Sequence, residues 1–454
     1  MSAGSWRAWL GALRRDETYG QVRRLAGPAI AQQLLHTLVF LVDRVVLGHH
    51  RAESLASMQI SAPVVWSTTT ILGAFTVGSV ALVGRRVGAG DRAGAAAALR
   101  ASLAAALVFG LVAFLGGAAA LPGLLRLFPE AGAAVHAEAS AYLGVALASM
   151  PLLLVSLASA VCLQASGDTR TPFRVAALGN LLNALLTYGL VFGVGGLPPL
   201  GARGAALGSA AAMGLQAVLL VALLGRRGDG LSWRGRGGEG EAWRRMARVA
   251  AASLGERVVQ QTGFMGFVAM IGALGGVAMA ANQALISIES VVFLSADGFG
   301  IAAASVAAQR LGAKRPDEAA RSVRAALFMA AVALSGVGLV FLLVPEWLLG
   351  VFSDDRAIVA AGVPCLAVAA VAAPIMGGAV VLSQALRGAG DTRTALGATF
   401  LGGLVVRLSA TWGFAFGLEL GLVGVWLGST LDWAVRLVLL GVAFRRGRWR
   451  TLEV

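Results

Sequence analysis

The sequence predicts an all-α polytopic membrane protein of about twelve transmembrane helices, built as two repeated six-helix bundles. Three observations lead there: long apolar runs, arginines gathered in alternate gaps between them, and motifs that recur in the second half of the chain. Hydrophobic residues make up 57% and charged residues 13% of the 454, with a mean hydropathy of +0.78. A bilayer core of about 30 Å needs about 20 helical residues, so apolar runs of that length are spans. The runs 101–121, 175–194, 205–224, 325–344 and 357–386 meet the test outright. Backbone amides in lipid must be satisfied within their own segment, which makes helices the default. The alternating ten-residue pattern of a membrane β-barrel does not occur.

Taken in order, the spans are expected at 26–48, 55–82, 101–121, 138–163, 174–196 and 203–225, then at 250–275, 283–307, 325–345, 357–386, 396–418 and 422–444. The polar, arginine-bearing start of the chain has no signal-peptide pattern, so the first run is expected to remain as a span. Arg14, Arg15, Arg23, Arg24, Arg85, Arg86, Arg92, Arg100, Arg170 and Arg174 fall in one set of gaps. The stretches 226–248, 310–324 and 445–450 continue that set, while the opposite gaps hold Arg51, Arg126, Arg203 and Arg356 among several acids. The positive-inside rule then places both termini in the cytoplasm, in a multi-pass cytoplasmic (inner) membrane protein.

The stretch 226–248 is Gly-rich and charged and divides the chain into a first bundle (1–225), a cytoplasmic linker and a second bundle (249–454). At an offset of about 220–224 residues three segments match in the same order. VGRRVGAGD (83–91) pairs with AAQRLGAKR (307–315), LQASGDTRT (163–171) with LRGAGDTRT (386–394), and GARGAALGS (201–209) with GLVGVWLGS (421–429). An even number of helices per repeat makes the repeats parallel in the membrane, an arrangement used by alternating-access transporters.

Other classes fit less well. The net charge of +14 resides in short loops rather than in a basic domain with stacking aromatics, so nucleic acid is not an expected partner. Cys162 and Cys365 both lie in apolar runs and read as reduced packing residues. The chain has no metal-ligand or nucleophile motif and its four histidines are scattered, which argues against a membrane-embedded enzyme, a metal site or a resident cofactor.

Several of these segments resemble the multidrug and toxic compound extrusion (MATE) exporters. GAGD at 88–91 is similar to that family's loop after the second span, and GDTRTP at 167–172, followed by GNLLN at 179–183, to its GDT-K/R-TP loop and N-x-x-N fifth helix. IES at 288–290 through GFG at 298–300 resembles the eighth helix of bacterial branches. The likeness runs from about residue 24 to 444. It implies a cation-coupled antiporter that exports amphipathic, often cationic small molecules by alternating access, coupled to H+ or Na+, and a monomer is expected. The loop motifs themselves read as turns and helix starts, with Arg170 and Arg393 able to face lipid phosphates.

Ionisable residues inside spans are costly and therefore candidates for function. Asp43 leads: it stands in LVFLVDRVVLG of the first span and resembles the family's first-helix aspartate. His36 and Gln32 lie seven and eleven residues earlier, on or near the same helical face, and are candidates for the substrate cavity. Arg44 adjoins Asp43, but consecutive helical residues diverge by about 100° and do not face each other. The resemblance adds Asn183 and Ser209 to the Asp43 site, and Thr187 where many relatives carry a second aspartate. One carboxylate binds a cation less tightly than two and suits proton exchange, which favours proton over sodium coupling. In the second half Glu256, Glu289 and Asp297 are the candidates. Glu256 resembles the seventh-helix acid of some relatives, whereas the tenth-helix acid of sodium-dependent members is absent from 357–386. Asp432 and Arg436, spaced i,i+4, are expected to neutralise each other. Arg407 has no local partner and is open to Asp432 or a lipid phosphate. Pro151, Pro364 and Pro374 are expected to bend their helices. The alternative reading is a flippase for lipid-linked saccharides, which would be expected to carry several cations in its cavity.

Overall fold

The computed structural model describes residues 17–126, 128, 132–227, 231–235 and 237–452, without the side chains at 36, 38–41 and 52. Among these residues there are helices and connecting turns and no strand. The first half comprises α1 (Glu17–His50), α2 (Ala52–Leu72), α3 (Phe75–Gly88), α4 (Arg92–Leu125), α5 (Gly132–Ala148), α6 (Met150–Ala165), α7 (Arg170–Phe192) and α8 (Gly201–Arg226). The second half continues with α9 (Glu239–Ala273), α10 (Gly276–Gly312), α11 (Pro316–Leu343), the short α12 (Pro345–Gly350), α13 (Arg356–Gly388), α14 (Thr392–Gly417) and α15 (Gly421–Arg446).

Among the described residues eight helices, α4, α7, α8, α10, α11, α13, α14 and α15, are long and apolar enough to cross a membrane. Two bent pairs bring the number to ten: α2 with α3, broken by 40°, and α5 with α6, broken by 48°. The second break falls at Ser149, just before Pro151, whose ring cannot continue the hydrogen-bond ladder. Helices α1 and α9 have 34 and 35 residues, ample to cross, but they are not among the apolar ones. They carry Gln32, Gln33, Asp43 and Arg44, and Glu256, Arg257, Gln260 and Gln261 respectively. The leading helix of each half therefore concentrates its polar residues.

The chain divides into two compact units, and the division cuts through those same two helices. One unit is Ala31–Arg248; the other joins Val249–Val454 to the residues before Ala31. The first turns of α1 pack in the second-half unit, where Val22, Leu25 and Ala26 share a core with Phe299, Val306 and Val323. There Tyr19 meets the edge of Phe328 and Arg310 donates to Gln21 Oε1 at 3.0 Å. Reciprocally, the first turns of α9 pack in the first-half unit. Trp243 stacks on Phe109, and Met246 lies against Ser79 and Ser102. Gly78 makes that seat possible, because a Cβ there would lie 2.6 Å from the Met246 carbonyl oxygen.

The repeated GDTRT loops share one geometry. Gly167 and Gly390 take left-handed φ of +91° and +89°, a conformation that glycine adopts at low cost. Asp168 then accepts from Thr171 N at 3.0 Å and Thr171 Oγ1 at 2.8 Å. Asp391 accepts from Thr394 N at 3.3 Å and Thr394 Oγ1 at 2.8 Å. Both aspartates thus cap the helix that follows. Burial raises the Asp168 pKa, but the Thr171 hydrogen bonds and the Arg227 guanidinium at 2.9 Å outweigh it and leave the carboxyl below the usual carboxylate range. Asp91 is also held low, first by the Gly94 backbone N–H at 2.8 Å and then by Arg86.

Candidate functional site

Four helices of the first-half unit converge on Asp43, which has no solvent exposure. Its Oδ2 accepts from Tyr142 Oη on α5 at 3.2 Å and from Ser209 Oγ on α8 at 3.1 Å. Its Oδ1 accepts from Thr187 Oγ1 on α7 at 3.4 Å. Asn183, one turn before Thr187, donates through Nδ2 to Ser209 Oγ at 2.8 Å and to Thr187 Oγ1 at 3.2 Å. Asn183 Oδ1 is buried and has no hydrogen-bond partner among the described residues. Arg44 is exposed and forms no ion pair with Asp43, as the angular divergence of neighbouring helical residues requires.

Of the residues singled out from sequence, Asp43, Asn183, Thr187 and Ser209 therefore form one cluster. Tyr142 completes it and was not anticipated. The only signal was a phenol within an apolar run, a residue that usually finds a partner when buried. Gln32 lies apart from this cluster, accepting from Gln164 Nε2 at 3.0 Å. The side chain of His36 lies outside the described residues.

The second-half candidates do not form one cluster. Glu256, 3% exposed, accepts through Oε1 from Arg387 Nη2 at 2.7 Å and Thr399 Oγ1 at 2.9 Å. Asp297 accepts from Gln384 Nε2. Glu289 lies on α10, with Arg407 as its electrostatic neighbour. Asp432 is fully buried and holds two guanidiniums. Arg436 Nε and Nη2 reach its Oδ1 and Oδ2 at 2.6 and 2.8 Å, and Arg407 Nε reaches Oδ2 at 2.8 Å. The expected Asp432–Arg436 pair is present, and of the two partners open to Arg407 the structure gives Asp432. Arg407 also donates to Ser429 Oγ at 3.2 Å.

Laid over one another at the repeat offset, the halves place these groups at matching positions. The Gln164–Gln32 bond corresponds to the Arg387–Glu256 ion pair, and Asn183–Ser209 to Arg407–Ser429. Gly208 abuts Thr187 as Gly428 abuts Thr411: a Cβ on either glycine would fall within 2.8 Å of the threonine nitrogen. The position of Asp43 is taken by Phe267.

Comparison with known proteins finds one family in both halves of the chain. The MatE family profile matches the chain twice, over residues 28–189 and 252–412. The chain is 27% identical over 434 residues to "Probable multidrug resistance protein NorM" of Thermotoga maritima, covering 95% of this chain and 93% of that one. It is 30% identical over 455 residues to the protein of that name from Pseudomonas syringae pv. tomato, covering 95% of both. Among solved structures, an outward-facing MATE family transporter of the MOP superfamily superposes with a TM-score of 0.87 at 22% identity, covering 97% of both chains. A MOP superfamily transporter from Pyrococcus furiosus superposes equally well at 21% identity, covering 96% of this chain and 97% of that one. These relatives are transporters, not enzymes. With its fold matched along nearly its whole length and the family profile matched in both halves, this multi-pass membrane protein belongs to the MATE family of transporters.

Proposed function

We propose that the chain is a proton-coupled antiporter that exports amphipathic, often cationic small molecules across the cytoplasmic membrane, with Asp43 as its coupling carboxylate. The observation that carries this reading is the setting of Asp43, a buried carboxylate served by three hydroxyls and, among the described residues, by no cation. Such a group is costly to keep charged and so is poised to exchange a proton. Asn183 Oδ1 supplies an unused acceptor within the same cluster, available to a protonated Asp43. A proton taken up from outside neutralises the site and releases a cationic solute; loss of the proton inside restores the negative site for the next one.

Sodium fits less well. The cluster holds a single carboxylate, and the seventh-helix acid, Glu256, already has the Arg387 guanidinium as its internal cation. The arginine distribution supports a cytoplasmic location for both termini and for a 226–248 linker between halves at 1–225 and 249–454.

The test is dye efflux from proteoliposomes, with a pH gradient and a sodium gradient imposed separately, comparing the parent with Asp43→Asn. Efflux driven by the pH gradient alone and lost in Asp43→Asn supports the proposal. Efflux driven by sodium alone overturns the coupling ion. Absence of dye transport under either gradient overturns the cargo and points to a flippase of lipid-linked saccharides.

A further inference from the structure

We propose that Arg407 and Arg436 form an anion-accepting subsite within the second-half bundle, one that takes the carboxylate, sulfonate or phosphate-ester group of a small amphipathic solute. The repeat locates it. Arg407 occupies the position of Asn183, Ser429 that of Ser209 and Thr411 that of Thr187, so the locus that holds an acid in one half holds guanidiniums in the other.

Three features indicate that donors at this locus outnumber the acceptors bonded to them. Two guanidiniums bring ten N–H donors. Both oxygens of Asp432 are already engaged, by Arg436 at each and by Arg407 at one. Nη1 of Arg407 and Nη1 of Arg436 have no hydrogen-bond partner among the described residues. Thr411 adds a third unmatched donor. Thr187 gives its hydroxyl to Asp43, but with Phe267 at the equivalent position the Thr411 hydroxyl is buried and unpartnered.

The backbone is shaped around these groups. Arg407 sits between two π-helical stretches of α14, Thr399–Val406 and Gly413–Gly417, and π segments frequently mark functional sites. Gly402 and Gly403 leave room for the Arg436 side chain, since a Cβ on either would collide with it. The Arg407 guanidinium lies over the rings of Phe267 and Trp433 at 5.3 and 5.8 Å, and Arg436 lies over Trp433 at 4.4 Å. Flat aromatic faces beside a forked donor suit a planar organic anion better than a bare inorganic one. Arg407 retains 12% side-chain exposure; beyond Asp432, Glu289 is an acidic neighbour of Arg407, and Glu256, already paired with Arg387, is one of Arg436. Because Arg407 falls near the middle of α14, a phospholipid headgroup held at the interface would not reach it.

The inference rests on the transport reading only for the identity of the solute, so it is tested by binding alone. Equilibrium dialysis of the purified protein in detergent would compare 2-naphthoate with its neutral amide, 2-naphthamide, for the parent, Arg407→Gln and Arg407→Lys. The parent is expected to prefer the carboxylate by about tenfold, the worth of one charge-assisted pair. Arg407→Gln should lose that preference while still binding the amide, and Arg407→Lys should retain part of it. Asp432 keeps both Arg436 bonds in these variants, and amide binding together with a monodisperse elution profile reports folding. Equal binding of the two probes by the parent, or a preference that survives Arg407→Gln, overturns the proposal. So does complete displacement of naphthoate by phosphatidylglycerol, which would assign the locus to a lipid headgroup. Failure of proton-driven efflux leaves this result untouched.

Discussion

The two halves of the molecule share a scaffold and differ in electrostatics. In the first, a carboxylate is satisfied by neutral hydroxyls; in the second, a carboxylate accepts from two guanidiniums. The neutral Gln32–Gln164 bridge of one half is the Glu256–Arg387 ion pair of the other. The features held in common are steric: the glycines that let helices approach, the aspartate caps of the GDTRT loops and the left-handed turn before them. Packing tolerates little change in volume, so a duplicated bundle keeps its small residues where backbones meet. Charge at an interior position is less constrained, provided each new group acquires a partner. Duplication thus supplies two equivalent loci, and substitution has given them opposite sign.

That contrast can be broken at several points. The largest effect is expected from Asp432→Ala, which strands two guanidiniums and should cost about 3–5 kcal/mol, read as a loss of thermal stability in detergent. Asp43→Ala removes only an acceptor of neutral donors and should cost less, while abolishing pH-driven efflux. Next, Glu256→Gln should cost about 2 kcal/mol by orphaning Arg387, and adding Arg387→Gln should recover most of it by recreating the neutral bridge of the first half. A double variant no more stable than the single one would show that the two bridges are not equivalent.

Gly208→Ala and Gly428→Ala should each cost about 1–3 kcal/mol through the same collision with a threonine backbone, and unequal losses would count against shared packing. The smallest effect is at the caps, where Asp168→Asn keeps an acceptor for Thr171 but loses the charge that meets Arg227, and should cost about 0.5–1 kcal/mol. Because the folded Asp168 carboxyl lies below its ordinary range, its contribution is present above about pH 4 and is lost as the pH falls through the folded value. A melting series from pH 6 to pH 3 should therefore converge for the parent and Asp168→Asn at the acid end.

Much of this architecture is legible in the amino-acid sequence. Hydropathy runs and three repeated loops led to paired bundles, and Asp43 stood out because an acid in an apolar helix needs a reason. Asn183, Thr187 and Ser209 came from the family resemblance, and the structure gathers all three around Asp43. What escaped was set by tertiary approach. Tyr142 lies 99 residues from the carboxylate it serves, and Arg387 lies 131 residues from Glu256. The Asp432–Arg436 pair could be read from helical spacing, but the choice of Arg407 between Asp432 and a lipid phosphate could not. Nor could the π-helical stretches of α14, because apolar composition marks a span without specifying its pitch. Pro151 was expected to bend its helix and stands at a 48° break, while the break at Gly73 between α2 and α3 had no proline to announce it.

The reciprocal placement of the leading turns of α1 and α9 has a consequence for assembly. Each half completes the other's core with a piece of its own first helix, in the manner of two hands each holding the other's wrist. Cutting the chain within 226–248 would therefore not yield two self-sufficient proteins. The earlier fragment would present Val22, Leu25 and Ala26 without the core that receives them, and the later one would leave Trp243 and Met246 without Phe109 and Ser79. The connecting segment is thus more than a tether, since its own Trp243 and Met246 are part of what the first half is built on.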